Sequence, residues 1–402
     1  IPATPSSVCP ADAPVKNFSV VALDRPMKLN PKAPDAIEVD FERKIEMTMP
    51  EGKIFALEAE ATTVASGATP NPLTLRVNLG DCIKVNLKNK MKASRASFFA
   101  PGLAFDPKDS QGLNVGNNGG DQTVGPGEGR SYTYYAHPSN KETTSLVWDG
   151  GNIVVNPRNG LYGAIIVGPR GSQYRDPVTG ADVSQKNSWR ADVIVDTSFT
   201  ENAGKRNYRD VALFFQDEDN IIGTAFMPYV QNVAGLTSVN YRAEPYKFRE
   251  EQGCSLGKIF QPCAVDKPED PVTPLIEAHA GDAVRIHVIG ANSEQNGMFG
   301  VEGHEWPIEP YMPGADQISV VEYAGSETLD VFIRGGAGGP YRQVGDFVWS
   351  NARLPYTQSG QWGYLRVLPA GDSRIQPLGT HGMGAKQAEV EPAVKAIPTA
   401  MK

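Results

Sequence analysis

Leu73-Thr-Leu-Arg-Val-Asn-Leu-Gly-Asp-Cys-Ile-Lys-Val-Asn-Leu87 decides the fold class. Apolar and polar residues alternate on both sides of Gly80-Asp81, the pattern of a half-buried strand pair joined at a glycine turn. The pattern returns in Leu275-Ile-Glu-Ala-His-Ala-Gly-Asp-Ala-Val-Arg-Ile-His-Val288, around Gly281-Asp282. Pro126-Gly-Glu-Gly-Arg-Ser-Tyr-Thr-Tyr134 answers to Ala324-Gly-Ser-Glu-Thr-Leu-Asp-Val-Phe332, and Gly160-Leu-Tyr-Gly-Ala-Ile-Ile-Val167 to Gly360-Gln-Trp-Gly-Tyr-Leu-Arg-Val367. Three landmarks in one order, about 200 residues apart, indicate a duplicated sandwich with Greek-key connections.

With 402 residues, 41 Gly, 32 Pro and few long amphipathic runs, the chain reads as all-β with two domains. The spans expected are an N-terminal arm (1–34), a first sandwich (35–185), a linker (186–202), a second sandwich (203–369) and a C-terminal tail (370–402). A net charge of −8, with Lys and Arg scattered, argues against a nucleic-acid partner. No apolar run approaches the ~20 residues of a membrane-spanning helix. The start, Ile1-Pro-Ala-Thr-Pro-Ser-Ser7, reads as the flexible beginning of a mature secreted chain.

The four cysteines form no C-x-x-C pair, so zinc and dithiol redox motifs are disfavoured. Cys254 and Cys263 flank a short loop and are expected to pair locally, which leaves Cys9 to pin the N-terminal arm to the strand that begins at Cys82. That pairing implies an oxidising compartment; four free buried thiols in a cytosolic protein are the alternative.

Five stretches carry a family resemblance: Gly-Asp-Cys-Ile-Lys-Val, Asp-Gln-Thr-Val-Gly-Pro-Gly, Gly-Leu-Tyr-Gly-Ala-Ile-Ile-Val, Gly-His-Glu-Trp-Pro and Gly-Gln-Trp-Gly. They resemble framework motifs of the multicopper oxidases, closest to the two-domain and ceruloplasmin-like branches, over about residues 50–368. The resemblance implies two cupredoxin-like Greek-key β-sandwiches. It also implies copper, held at a mononuclear site by two imidazoles, a thiolate and a weak axial thioether.

The ligand positions have changed. Asp346 to Gly363 aligns without a gap to the His-Cys-His, His and Met run, and carries Ser350, Asn351, Ala352, Tyr356 and Gln361 there. The first-domain His-x-His-Gly corresponds to Phe99-Ala100-Pro101-Gly102, and the second His-x-His to Trp148-Asp149-Gly150. In the second-domain ligand run, Gly297, Gly300 and Glu302 stand at ligand positions, and only His304 is retained. The family's full complement needs about ten imidazoles. This chain has five: His137, His279, His287, His304 and His381. No copper or other cofactor is therefore expected, and no catalytic residue is assigned.

His304 reads as a buried, hydrogen-bonded histidine in the old site, with a relic ion shared by Glu302 and Met298 as the rival. His279 and His287 match Asn78 and Asn86 of the first copy and are expected to face solvent. His137 is expected at a turn after a strand, and His381 in the tail is a weak adventitious ligand. Asp217-Glu218-Asp219 reads as a solvated acidic loop or, less often, a calcium site. Phe99 and Trp148 are expected to refill the space between the two vacated half-clusters, while Trp306, Trp349 and Trp362 lie near ligand positions.

These readings suggest a secreted, non-catalytic structural or assembly subunit that associates with itself or a related cupredoxin chain. The resemblance suggests a trimer. One alternative is a copper-dependent oxidase that works only with a copper-bearing partner or unorthodox ligands. The other is a binding protein that uses the vacated pocket for a small ligand.

Overall fold

A computed structural model describes residues 8–40, 43–219, 232–262 and 269–380. Their architecture is two β-sandwiches with matching strand order. In the first, one sheet runs Lys53–Leu57, Val15–Asp24, Cys82–Asn89, Gly129–Tyr135 and Ala104–Phe105, facing a sheet of Thr143–Val147, Gly163–Gly168 and Leu73–Asn78. In the second, Gly235–Val239, Tyr208–Asp219, Val284–Asn292 and Thr328–Phe332 repeat the order of the larger sheet. The facing sheet contains Gly345–Asn351, Trp362–Leu368 and Ile276–His279.

The repeat extends to single hydrogen bonds. Asn78 N–H donates to Asp81 Oδ2 at 2.8 Å, as His279 N–H does to Asp282 Oδ2 at 2.9 Å. Gly80 N–H reaches the Ala136 carbonyl and Gly281 N–H the Ala337 carbonyl, both at 2.8 Å. Both glycines sit at φ +88°, where a Cβ is strained. An added Cβ at Gly80 would meet no atom within 4 Å. Gly80→Ala is therefore expected to isolate the backbone term and cost about 1–2 kcal/mol, measured as a shift in urea midpoint at unchanged slope.

Three expectations need correction. The arm expected over 1–34 contains the ten-residue strand Val15–Asp24, which pairs in parallel with Cys82–Asn89, as Tyr208–Asp219 does with Val284–Asn292. It is buried in the middle of its sheet because Phe18, Val20 and Ala22 belong to the first core. The linker expected over 186–202 includes Arg190–Ile194, a strand that pairs with Tyr208–Asp219. The hairpin Ala36–Asp40 and Arg43–Glu46, expected in the first sandwich, adds to the second, with Ile45 opposite Gly235 in parallel. Ile37 and Ile45 are fully buried in an apolar cluster built by both halves of the chain, which is why the hairpin is held there.

Cys9 is disulfide-bonded to Cys82. Cys254 is disulfide-bonded as well; its expected partner, Cys263, lies outside the described residues, as does His381. Within the expected tail, Ile375 is buried and Gln376 N–H donates to the Pro177 carbonyl at 2.7 Å, so residues 370–380 dock on the chain itself. Among the described residues, no helix is long and apolar enough to cross a membrane.

Candidate functional site

Several of the positions that the resemblance assigns to mononuclear copper ligands, Gly297, Asn351 and Gln361 among them, come together in the second sandwich. Gly345–Asn351 runs antiparallel to both Gly297–Val301 and Trp362–Leu368, which sets Gly300 opposite Ser350 and Phe299 opposite Asn351. Asn351 and Gln361 are joined twice: Asn351 N–H donates to the Gln361 carbonyl at 3.0 Å, and Asn351 Nδ2 to Gln361 Oε1 at 2.8 Å. Asn351 Nδ2 also reaches Tyr323 Oη at 3.2 Å, and its Oδ1 accepts from Met298 N–H at 3.0 Å. Gln361 Nε2 donates to the Gln216 carbonyl at 2.9 Å. Tyr162 Oη in turn donates to Gln216 Oε1 at 2.9 Å.

The result is a buried amide network that satisfies its own donors and acceptors, where a thiolate and a thioether would stand in a copper site. Tyr356 is fully buried beside it, with the Arg353 guanidinium 5.0 Å from its ring centre. Ser350 is half-buried and Ala352 is exposed. Gly297 has no room for a side chain, since a Cβ there would fall 2.2 Å from Tyr323 Cζ. Tyr323 packs 5.0 Å from Phe215 and occupies that space.

His304 is buried, and both ring nitrogens are used. Gly338 N–H donates to Nε2 at 3.0 Å, and the Nδ1 side faces the Glu302 carbonyl at 2.7 Å. Because Nε2 accepts, Nδ1 carries the proton and the ring is neutral; burial lowers its pKa. Glu302 is exposed, bonded through its backbone N–H to the Val348 carbonyl.

In the first sandwich, Phe99 and Trp148 exchange two backbone hydrogen bonds of 2.9 Å. Both are half-buried. Phe99 meets Phe105 edge-on at 6.4 Å, and Trp148 packs against the cluster that both sandwiches build. Pro101 is exposed. Gly150 is roofed by the turn at Gly112-Leu113, so that a Cβ would lie 2.3 Å from the Gly112 carbonyl oxygen and 2.4 Å from Leu113 Cδ2. Asp149, between the two former ligand positions, is buried and accepts from Ser97 N–H at 2.7 Å and Asn152 N–H at 2.8 Å.

These residues do not fit a copper ion. Two ligand positions are glycines whose side-chain space is taken, the amides at two more are engaged with each other, and the retained imidazole has no lone pair to give. Among the described residues, no group of three or more His, Cys, Asp or Glu could hold a metal. Trp306, Trp349 and Trp362 are core residues of the second half, with the last two donating from Nε1 to the carbonyls of Pro274 and Glu244.

No family model and no curated protein matches the chain. Solved structures do. Copper nitrite reductase from Nitrosomonas europaea superposes with a TM-score of 0.52 at 16% identity, covering 90% of this chain and 96% of that one. The blue copper oxidase from the same organism gives 0.51 at 15%, with 88% and 86% covered. The chain has the multicopper-oxidase fold. Multicopper oxidase mgLAC, at 0.51 and 14% identity, covers 89% of this chain and 88% of its own.

Two histidines overturn expectation. His279 and His287 are buried. The docked segment covers His279, whose Nε2 lies 2.8 Å from the Asp372 carbonyl, while Arg209 Nη2 lies 3.3 Å from Nδ1. His287 lies where the two sandwiches meet, among charged residues that sequence reasoning missed. Arg76 Nη1 donates to Asp210 Oδ1 at 2.5 Å, Arg285 Nη2 to Asp330 Oδ2 at 2.7 Å, and Arg285 Nη1 to Glu142 Oε2 at 3.1 Å. The available signal was charge inside apolar strands, Leu-Arg-Val at 75–77 and Val-Arg-Ile at 284–286. Asp217 and Asp219 are likewise buried strand residues, not a solvated loop. Burial pushes the Asp217 carboxyl up to about 7, and it accepts from Ser293 Oγ and from Glu294 N–H.

Proposed function

We propose that this chain is a secreted, non-catalytic structural or assembly subunit on the multicopper-oxidase fold. The observation that carries the reading is the Asn351–Gln361–Tyr323 network, which occupies the mononuclear ligand positions with self-satisfied amides. A copper-bearing partner would still need ligands from this chain, and Gly150 and Gly297 are closed to side chains of any size. A small ligand would need the vacated space, which Tyr323 and the amides fill. The Cys9–Cys82 disulfide supports an oxidising, extracytoplasmic compartment. The partner proposed is a second copy or a related cupredoxin chain, as a trimer by resemblance.

The test is to load the purified chain with copper, dialyse it, and measure bound metal together with oxygen uptake on a reducing substrate. Copper far below one ion per chain and no uptake above buffer is the expected result. A tightly held stoichiometric ion, or turnover, would overturn the reading. Light scattering tests assembly: a 43.3 kDa species at every concentration, with no association with a cupredoxin chain from the same source, would remove the subunit role.

A further inference from the structure

We propose that His287 is a pH-operated latch at the seam between the two sandwiches: its imidazolium balances the paired carboxylates of Asp210 and Asp330 beneath Thr144 and Arg76 of the first sandwich, and loss of the ring proton loosens the seam. The ring has no exposure to solvent. Nδ1 lies 2.6 Å from Asp330 Oδ1, and Nε2 lies 2.9 Å from Asp210 Oδ2. Ionised carboxylates only accept, so with an anion at each end both ring nitrogens must carry hydrogen. Nδ1 also lies 2.7 Å from Thr144 Oγ1, a hydroxyl of the first sandwich that can accept this proton and donate to Asp330 Oδ1 at 3.3 Å.

The surroundings come from both halves. Arg76, Glu142 and Thr144 belong to the first, where Arg76 binds Asp210 and Glu142 binds Arg285. Asp210, Tyr208, Arg285 and Asp330 belong to the second. Tyr174, Tyr311 and Lys205 complete the set of charged and titratable neighbours, with Lys205 at the solvent edge 2.7 Å from Glu142 Oε1. Burial opposes charge on His287, and Asp210 and Asp330 outweigh it, with Arg285 acting against them, so the proton is held above the ordinary imidazole range. Asn86, the equivalent residue of the first copy, is exposed and bonded to Ser131 across the sheet. The latch therefore belongs to the second copy alone.

A raised folded-state pKa makes the contribution complete below the unfolded value of about 6.5. It is then lost as pH rises through the folded value, by up to about tenfold in the unfolding constant per pH unit. The experiment combines urea unfolding of the full chain from pH 6 upward with hydrogen exchange of peptides covering 142–147 and 284–292, corrected for the intrinsic rate. The expected result is an alkaline decline in stability and in the protection of both peptides, absent in His287→Gln. NMR titration of the histidine ring in the unmodified chain gives an arm that does not depend on the variant folding, with His287 assigned by elimination using variants of the other four. A ring that titrates at or below the ordinary value, protection that stays constant through its titration, or an equal slope in His287→Gln would overturn the proposal.

Discussion

Asp210→Ala is expected to lower the free energy of unfolding by about 3–5 kcal/mol, the size of effect found when one partner of a buried ion pair is removed. Asp210 and Arg76 have side chains only 1% exposed, and Asp210 also faces His287. Truncation would leave two buried cations without their common anion, and the guanidinium cannot shed its charge. Burial would raise the Asp210 pKa, but the charges of Arg76 and His287 override it and hold the carboxyl far below the usual range. That contribution is present above the unfolded value of about 3.9 and is lost as pH falls through the folded value. Urea titration at neutral pH is the measurement. Combined with Arg76→Met, the losses should fall short of additive by about 0.5–3 kcal/mol. A single-variant loss under ~1 kcal/mol would show that the cluster does not hold the interface.

Gly297→His, which places a histidine where the resemblance assigns a ligand, is expected to cost about 2–3 kcal/mol, at the upper end of ordinary overpacking. The Tyr323 ring lies in the path of the first side-chain atom, and it cannot swing away cheaply. It is fully buried against Phe215 and accepts from Asn351. Displacing it would also break the amide network, adding unsatisfied donors to the steric cost. Thermal unfolding of the variant, followed by copper titration, should show a lowered midpoint and no stoichiometric ion. A variant as stable as the parent would mean that Tyr323 does not fill the site as described.

The framework was legible because it is local, and the resemblance that assigns the ligand positions rests on equally local motifs. Gly80-Asp81 and Gly281-Asp282 mark equivalent turns, and the run from Ser350 to Gln361 keeps the family's spacing, so substitutions can be read position by position. The partners that fill the vacated positions, Gln216 and Tyr323, lie far away in sequence and belong to no motif. His287 was misjudged for a different reason. Period two tells which residues share a face, not what covers that face. In the first copy Asn86 looks into solvent; in the second the same face, which also carries Asp210 and Asp330, is covered by Thr144. Val15–Asp24 was overlooked because it precedes the first recognisable motif, although the apolar run from Phe18 to Leu23, broken only by Ser19, was there to be read.

The exchanged hairpin has a consequence for synthesis. Arg43–Glu46 leaves the ribosome about 190 residues before Gly235–Val239, the strand it pairs with. At common elongation rates of 5–20 residues per second, its edge waits roughly ten to forty seconds for that partner. The first sandwich can close in that interval around Val15–Asp24, but the hairpin cannot be placed until the second is being made. Cutting the gene between the two sandwiches would therefore not yield two independent folding units. The N-terminal product would carry an orphan hairpin, and the C-terminal one an uncovered sheet edge, open to pairing between chains.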